Sequence, residues 1–245
     1  MNIRLNSENY IKIIKKDDKK RPLLLILPGG GYMMTSEREA LPVVEIFKSE
    51  SFHQAIFYYR ETQLYYPEIL EEGHAFLKVL KALDFVSKLY IMGFSAGGHY
   101  AMMLSKAYPH LIEKTLLLYP VITSDKPYLH EGSFENLLGD HPDASLLEKV
   151  SLEKHIDQKL PPVFIMHTID DLSVPVENSL RLIDALKKSH NYVEAHLYPT
   201  GRHGVSIATK DVAFIDMEPK AFIQSFGYLS EWTKLAKDFL RRDMK

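Results

Sequence analysis

Gly93-Phe94-Ser95-Ala96-Gly97-Gly98 follows an apolar run ending in Leu89-Tyr90-Ile91-Met92 and precedes a helix-forming segment, His99-Tyr100-Ala101-Met102-Met103-Leu104-Ser105-Lys106-Ala107. A serine framed as G-x-S-x-G between a strand and a helix is the pattern of a nucleophile elbow. The chain turns so sharply there that the serine is held in strained backbone geometry. Glycines two before and two after it keep side chains clear. Such a turn lifts the Ser95 hydroxyl above the sheet edge and aims the first helical N–H groups at whatever it attacks. The plain alternative is a glycine-rich strand–helix turn carrying an incidental serine, so the rest of the chain must discriminate.

Working outward, Tyr10–Ile14 alternates weakly and reads as an N-terminal edge strand. The mixed-charge run 15–21 reads as a solvated turn between two strands. Leu23-Leu24-Leu25-Ile26-Leu27 is continuous and apolar, the pattern of a strand covered on both faces. Pro28-Gly29-Gly30-Gly31-Tyr32 follows it at once, then a helix over about 37–49 and a strand over 53–59. Pro67 opens a helix to about Leu83, with Ile69, Leu70, Phe76, Leu77 and Leu80 at helical spacing. Beyond the elbow come Thr115-Leu116-Leu117-Leu118-Tyr119, closed by Pro120, and Val163-Phe164-Ile165-Met166-His167. A helix over 176–188, a strand over 193–198 and a terminal helix over about 229–241 complete the pattern.

This alternation specifies an α/β fold with a mostly parallel central sheet and helices on both faces. Ligands of such sheets sit beyond the carboxyl ends of the strands, where Gly29-Gly30-Gly31 and Ser95 both fall. Residues 121–160 break the rhythm with short apolar pieces among Pro, Asp, His and Gly, and read as a lid or cap excursion over the site. The expectation is one domain over 1–245.

With 245 residues and 46% hydrophobic content, the chain can bury a large core. A net charge of −2 spread without blocks argues against a nucleic-acid partner. The lack of cysteine excludes a disulfide framework, a thiol nucleophile and a Cys-ligated zinc site. No secretory h-region follows Met1, and no apolar run approaches the ~18 residues of a membrane span. The expected setting is therefore cytoplasmic and away from membranes. The aromatic residues of 204–228 are candidates for lining a pocket or for a homo-oligomer contact.

A serine hydroxyl needs a base, and the base needs an acid to fix its tautomer. The strand ending at His167 is followed by Thr168-Ile169-Asp170-Asp171-Leu172-Ser173-Val174-Pro175, which offers two acids. The strand ending at Tyr198 is followed by Pro199-Thr200-Gly201-Arg202-His203-Gly204, which offers one histidine. The order Ser, Asp, His suits the fold. Singly, each acid could be a turn or helix cap, and one of eleven histidines after a given strand is unremarkable. Their joint placement with Ser95 is what counts. Acyl transfer also needs donors for a developing oxyanion, and the N–H groups of Gly30 and Gly31, meeting that of Ala96, are the candidates. The glycine run lacks phosphate-loop spacing. A metal reading would recruit His167, Asp170, Asp171 and His203, but their spacing repeats no zinc pattern, so no metal is expected. His99 is expected to pack inside, and Arg60 to serve as a structural hydrogen-bonding residue.

These residues as a set resemble the acetyl-esterase and lipase-like branch of the α/β-hydrolases, near the hormone-sensitive-lipase relatives and bacterial acetylxylan or feruloyl esterases. The resemblance rests on Pro28-Gly29-Gly30-Gly31-Tyr32 with Glu37-Arg38-Glu39-Ala40 after it. Gly93-Phe94-Ser95-Ala96-Gly97-Gly98-His99, Pro161-Pro162-Val163-Phe164-Ile165-Met166-His167-Thr168 and Asp171-Leu172-Ser173-Val174-Pro175-Val176-Glu177-Asn178-Ser179 continue it. Proline at position 28 stands where other members carry a histidine that orients the glycine loop. The resemblance implies a serine hydrolase without cofactor, acting on short acyl esters. The cytoplasmic setting expected above points to a small acetylated sugar or another small ester rather than a polymer. It also implies Asp171 as the acid, from the family's D-x-x-V-P context. A peptidase or amidase of the prolyl-oligopeptidase type shares the triad order, although such enzymes usually carry a further gating domain. A non-catalytic binding protein of this fold would have lost a triad residue, and none is lost here.

Overall fold

A computed structural model describes residues 1–243. Its strands are β1 (Asn2–Arg4), β2 (Tyr10–Ile14), β3 (Arg21–Leu27), β4 (His53–Tyr58), β5 (Val86–Phe94), β6 (Lys114–Leu118), β7 (Val163–Thr168) and β8 (Val193–Tyr198). They form one sheet in the order β1-β2-β4-β3-β5-β6-β7-β8. The pairings of β1 with β2 and of β2 with β4 are antiparallel, and all later ones are parallel. The chain lays β4 on one flank of β3 and then β5 on the other, so the winding reverses at β3. The crevice above β3 and β5 is where an open α/β sheet binds its ligand. The glycine run leaves β3 there, and Ser95 leaves β5.

The helices are α1 (Leu41–Phe47), α2 (Glu68–Ala82), α3 (Ala96–Ala107), α4 (Glu131–Leu138), α5 (Ala144–Val150), α6 (Glu177–Lys188), α7 (Pro219–Phe226) and α8 (Glu231–Arg241). Side chains alternate across a strand, so the apolar run of β3 feeds two cores. Leu23, Leu25 and Leu27 pack with Phe76 and Leu80 of α2, Met102 of α3 and Leu182 of α6. Leu24 and Ile26 pack on the other face with Phe47 of α1 and with Trp232 and Phe239 of α8. Each such side chain taken fully from water contributes about 1.5–3 kcal/mol, so the strand that leads into the glycine run is anchored from both faces.

Two sequence expectations change. Tyr10–Ile14 is not the edge, because β1 pairs outside it through Asn2, Ile3 and Arg4. The helix read over 37–49 is a 3-10 turn, Glu37–Glu39, followed by α1, with Pro42 in the first turn of the second piece. Proline has no N–H to carry a continuous helical ladder, but it suits a helix start. The stretch 204–228 contains a helix, α7, which also opens on a proline.

Residues 121–160 form α4, α5 and a 3-10 turn, Leu152–His155. His130 caps α4 by accepting from the Ser133 N–H, and Asp143 caps α5 by accepting from the Leu146 N–H. Phe134, Leu137 and Val150 are buried in the same core as α2 and α3, which fastens the segment to the body of the sheet. No helix among the described residues is long and apolar enough to cross a membrane.

Candidate active site

Ser95 joins β5 to α3 with φ 52° and ψ −119°, a conformation that costs an L-residue on the order of 1–3 kcal/mol. Its own backbone holds it there. Its N–H donates to the Leu118 carbonyl at 2.9 Å, and its carbonyl accepts from the Val121 N–H at 3.1 Å. The turn is so tight that a Cβ on Gly93 would lie 2.1 Å from the Gly97 carbonyl oxygen. The Ser95 hydroxyl emerges above the sheet and donates to Nε2 of His203 at 2.8 Å.

His203, in the loop after β8, donates from Nδ1 to Oδ2 of Asp171 at 2.6 Å. Asp171, in the loop after β7, is buried, and its Oδ1 accepts the N–H groups of Ser173 and Val174 at 2.9 and 3.0 Å. Burial alone would raise the Asp171 pKa. The side chains of His167 and His203, the charge of His203 and the Val174 N–H outweigh burial and hold the carboxyl well below the usual range. Behind Asp171 lies His167, fully buried, with Nε2 3.4 Å from Oδ2. That ring donates from Nε2 to the Val174 carbonyl and accepts at Nδ1 from the Ser179 hydroxyl. The structure therefore brings Ser95, His203 and Asp171 into one hydrogen-bonded chain. Asp170 stands outside it, with its carboxylate accepting from the Gly201 N–H at 2.7 Å.

The glycine loop lies against the serine, since a Cβ on Gly29 would sit 3.0 Å from the Ser95 Cβ. Gly30 has φ +126°, and a Cβ there would lie 2.3 Å from the Met34 carbonyl oxygen, so the loop is built for glycine. With proline at position 28, other groups fix the loop. The Tyr59 hydroxyl donates to the Pro28 carbonyl at 2.6 Å, and the Gly29 N–H donates to Oε2 of Glu39 at 2.7 Å. Asn136 of α4 donates to the Gly31 carbonyl at 2.9 Å. Ala96 is the first residue of α3, so its N–H has no partner within the helix. The N–H groups of Gly30 and Gly31 donate to no backbone carbonyl among the described residues.

Glu39 and Tyr119 are site components to which the motifs assigned no role. Glu39 is buried and accepts the Tyr119 hydroxyl on Oε1 at 2.6 Å, besides the Gly29 N–H on Oε2. Burial raises its pKa, and the hydrogen bonds from Tyr119 and Gly29, with the charges of His203 and Arg38, oppose that rise. The Tyr119 ring meets the His203 imidazole edge-on at 5.1 Å. Glu39 belongs to a quoted motif, but its partner is 80 residues away, beyond any local signal.

Beside His203 opens a cavity of about 640 Å³, walled by Leu172, Ser173, Arg202 and Phe226. Phe226 belongs to the 204–228 stretch and is braced by Phe214 and Phe222 at 6.0 and 5.5 Å, so that stretch does reach the pocket. His99 packs inside as expected, donating to the Val150 carbonyl and accepting from the Tyr32 hydroxyl. Arg60 donates to the Leu64 and Asn136 carbonyls. No cluster of three or more His, Cys, Asp or Glu positioned to hold a metal occurs among the described residues.

A mostly parallel sheet wound this way, with a strained serine after β5, an acid after β7 and a histidine after β8, defines an α/β-hydrolase. Residues 47–225 match the model of the prolyl oligopeptidase family, and the chain belongs to that family. Among its relatives is endo-1,4-beta-xylanase B of Butyrivibrio fibrisolvens, 30% identical over 231 residues, covering 83% of this chain and 35% of the relative. The acetylxylan esterase of Xylanibacter ruminicola is 34% identical over 125 residues, covering 49% of this chain and 26% of the relative. The chain thus spans about a third or less of the length of these curated relatives. Among solved structures, the acetyl ester-xyloside bifunctional hydrolase from Caldicellulosiruptor lactoaceticus superposes with a TM-score of 0.80 at 30% identity, covering 94% of this chain and 86% of that one. These relatives agree with the acetyl-esterase-like branch expected from the motifs.

Proposed function

We propose that the protein is a serine hydrolase that cleaves short-chain carboxylic esters through an acyl-enzyme. The observation that carries the reading is the chain Ser95–His203–Asp171, at 2.8 and 2.6 Å, on a strained elbow. Ser95 Oγ attacks the ester carbonyl while its proton passes to His203 Nε2. The N–H groups of Gly30, Gly31 and Ala96 take the oxyanion. The tetrahedral adduct collapses, the C–O bond to the alcohol breaks, and His203 returns the proton to the departing oxygen. Water, deprotonated by the same imidazole, then releases the acid. Asp171 stays ionised, fixes the Nδ1–H tautomer and stabilises the imidazolium. No cofactor or metal enters these steps.

The leaving oxygen must lie within reach of His203 Nε2, so the 640 Å³ cavity beside that ring is the place for the alcohol. Residues 121–160 act as the roof over the acyl side, which favours acetyl-sized groups. The names of the acetylxylan esterase and the acetyl ester-xyloside hydrolase support an acetylated sugar as the substrate.

Turnover of p-nitrophenyl acetate by the intact protein, lost on Ser95→Ala, is the expected result. Losing the nucleophile of such a unit costs about 10⁶ in kcat. Activity of the variant within tenfold of wild type would refute the assignment. The family match itself favours one second reading, a peptidase or amidase of the prolyl-oligopeptidase type. A panel of p-nitroanilides separates the two, since the ester reading expects much faster turnover of esters.

A further inference from the structure

The donors of the proposed oxyanion hole follow β3, and the base follows β8, with β5, β6 and β7 lying between those strands in the sheet. Acyl transfer needs both held to a fraction of an ångström around Ser95. One buried group reaches toward both. Glu39 ends the 3-10 turn after the glycine loop and takes the Gly29 N–H on one oxygen at 2.7 Å. Its other oxygen takes the Tyr119 hydroxyl at 2.6 Å, and Tyr119 directly follows β6. The same hydroxyl oxygen accepts the Ser206 N–H at 3.0 Å, three residues past His203. The Ser206 hydroxyl returns to the Arg38 carbonyl at 2.7 Å, next to Glu39, and the Ser206 carbonyl is held by Trp232 Nε1 at 2.9 Å.

We propose that Glu39 is a positioning residue that locks the glycine loop and the His203 loop into one frame through Tyr119. Glu39, Tyr119 and Ser206 are all buried, and a buried carboxylate is a costly way to fill space. Both of its oxygens are used, each toward a different loop of the site. The inference rests on the serine-hydrolase reading, but it concerns the geometry around Ser95 whatever the acyl acceptor.

The test is a double-mutant cycle of Glu39→Gln and Tyr119→Phe. Two readouts are used, steady-state hydrolysis of p-nitrophenyl acetate and the rate at which an alkyl fluorophosphonate labels Ser95. In Glu39→Gln the amide oxygen still accepts the Gly29 N–H. Its NH2 group, however, faces a Tyr119 oxygen already engaged by Ser206. Tyr119→Phe keeps the ring on His203 and removes only the hydroxyl. Each single variant should lose about tenfold or more in kcat and in labelling rate, with KM changed little. The double variant should be no worse than the poorer single one, because both break the same link.

Losses that multiply in the double variant would overturn the proposal. So would folded single variants with kcat and labelling rate within twofold of wild type. Should Glu39→Gln fail to fold, Tyr119→Phe decides alone, and an unchanged labelling rate refutes the link. Wild type that labels but does not turn over the ester would sink the ester reading and leave the Glu39 test to the labelling rates. Wild type that does neither would overturn both.

Discussion

Asp170 and Asp171 are neighbours in the chain, yet their carboxylates serve different loop atoms. Asp170 accepts the backbone N–H of Gly201 at 2.7 Å, and Asp171 accepts Nδ1–H of His203 at 2.6 Å. One fixes the path of the histidine loop, and the other fixes the ring.

Asp171→Asn should therefore cost on the order of 10⁴ in kcat, because the amide favours the wrong tautomer of His203. Asp170→Asn keeps an oxygen that can accept from Gly201 and should cost far less. Both are read on p-nitrophenyl acetate at one pH. The reverse ranking would place the acid one residue earlier.

Gly30→Ala tests the glycine loop. The new Cβ would meet the Met34 carbonyl oxygen at 2.3 Å on a backbone with φ +126°, so the loop must shift. The strain should lower stability by about 1–3 kcal/mol. If the loop supplies oxyanion donors, kcat should fall by about 10²–10³ with KM nearly constant. A loss confined to KM would assign the loop to binding instead.

Acid should destabilise the fold through His99. Burial, opposed by its bond to the Val150 carbonyl, pushes its pKa down from 6.5 to about 4. The unfolded chain binds a proton at His99 below about pH 6.5, while the native state refuses it until about pH 4. Stability therefore falls as pH drops through that window, by on the order of 3 kcal/mol. His130, also lowered by burial, adds in the same direction. Urea unfolding at pH 7 and pH 4.5 should show a smaller pH effect in His99→Gln than in wild type. Equal slopes would contradict this account.

The acyl side should be shallow, because α4 sits on the glycine loop through Asn136 and the Gly31 carbonyl. Ranking kcat/KM for acetate, butyrate and octanoate esters checks this, with acetate expected first. A clear preference for octanoate would show that residues 121–160 leave a deep channel.

What the sequence determined by itself was local. The elbow needs its glycines within four residues of each other, β3 announces itself by an unbroken apolar run, and prolines mark helix starts. Because parallel strands deliver their carboxyl ends to one edge, Ser95, the glycine loop, the two aspartates and His203 could be placed together before any contact was known. Tertiary structure decided what depends on direction and on distant partners. It turned Asp171, not Asp170, toward His203, and set His167 behind the acid. It also closed the path from Gly29 through Glu39 and Tyr119 to Ser206. Periodicity and turn chemistry reach only a few residues along the chain. Those contacts span up to 87 residues and exist only once the sheet order has brought the loops side by side.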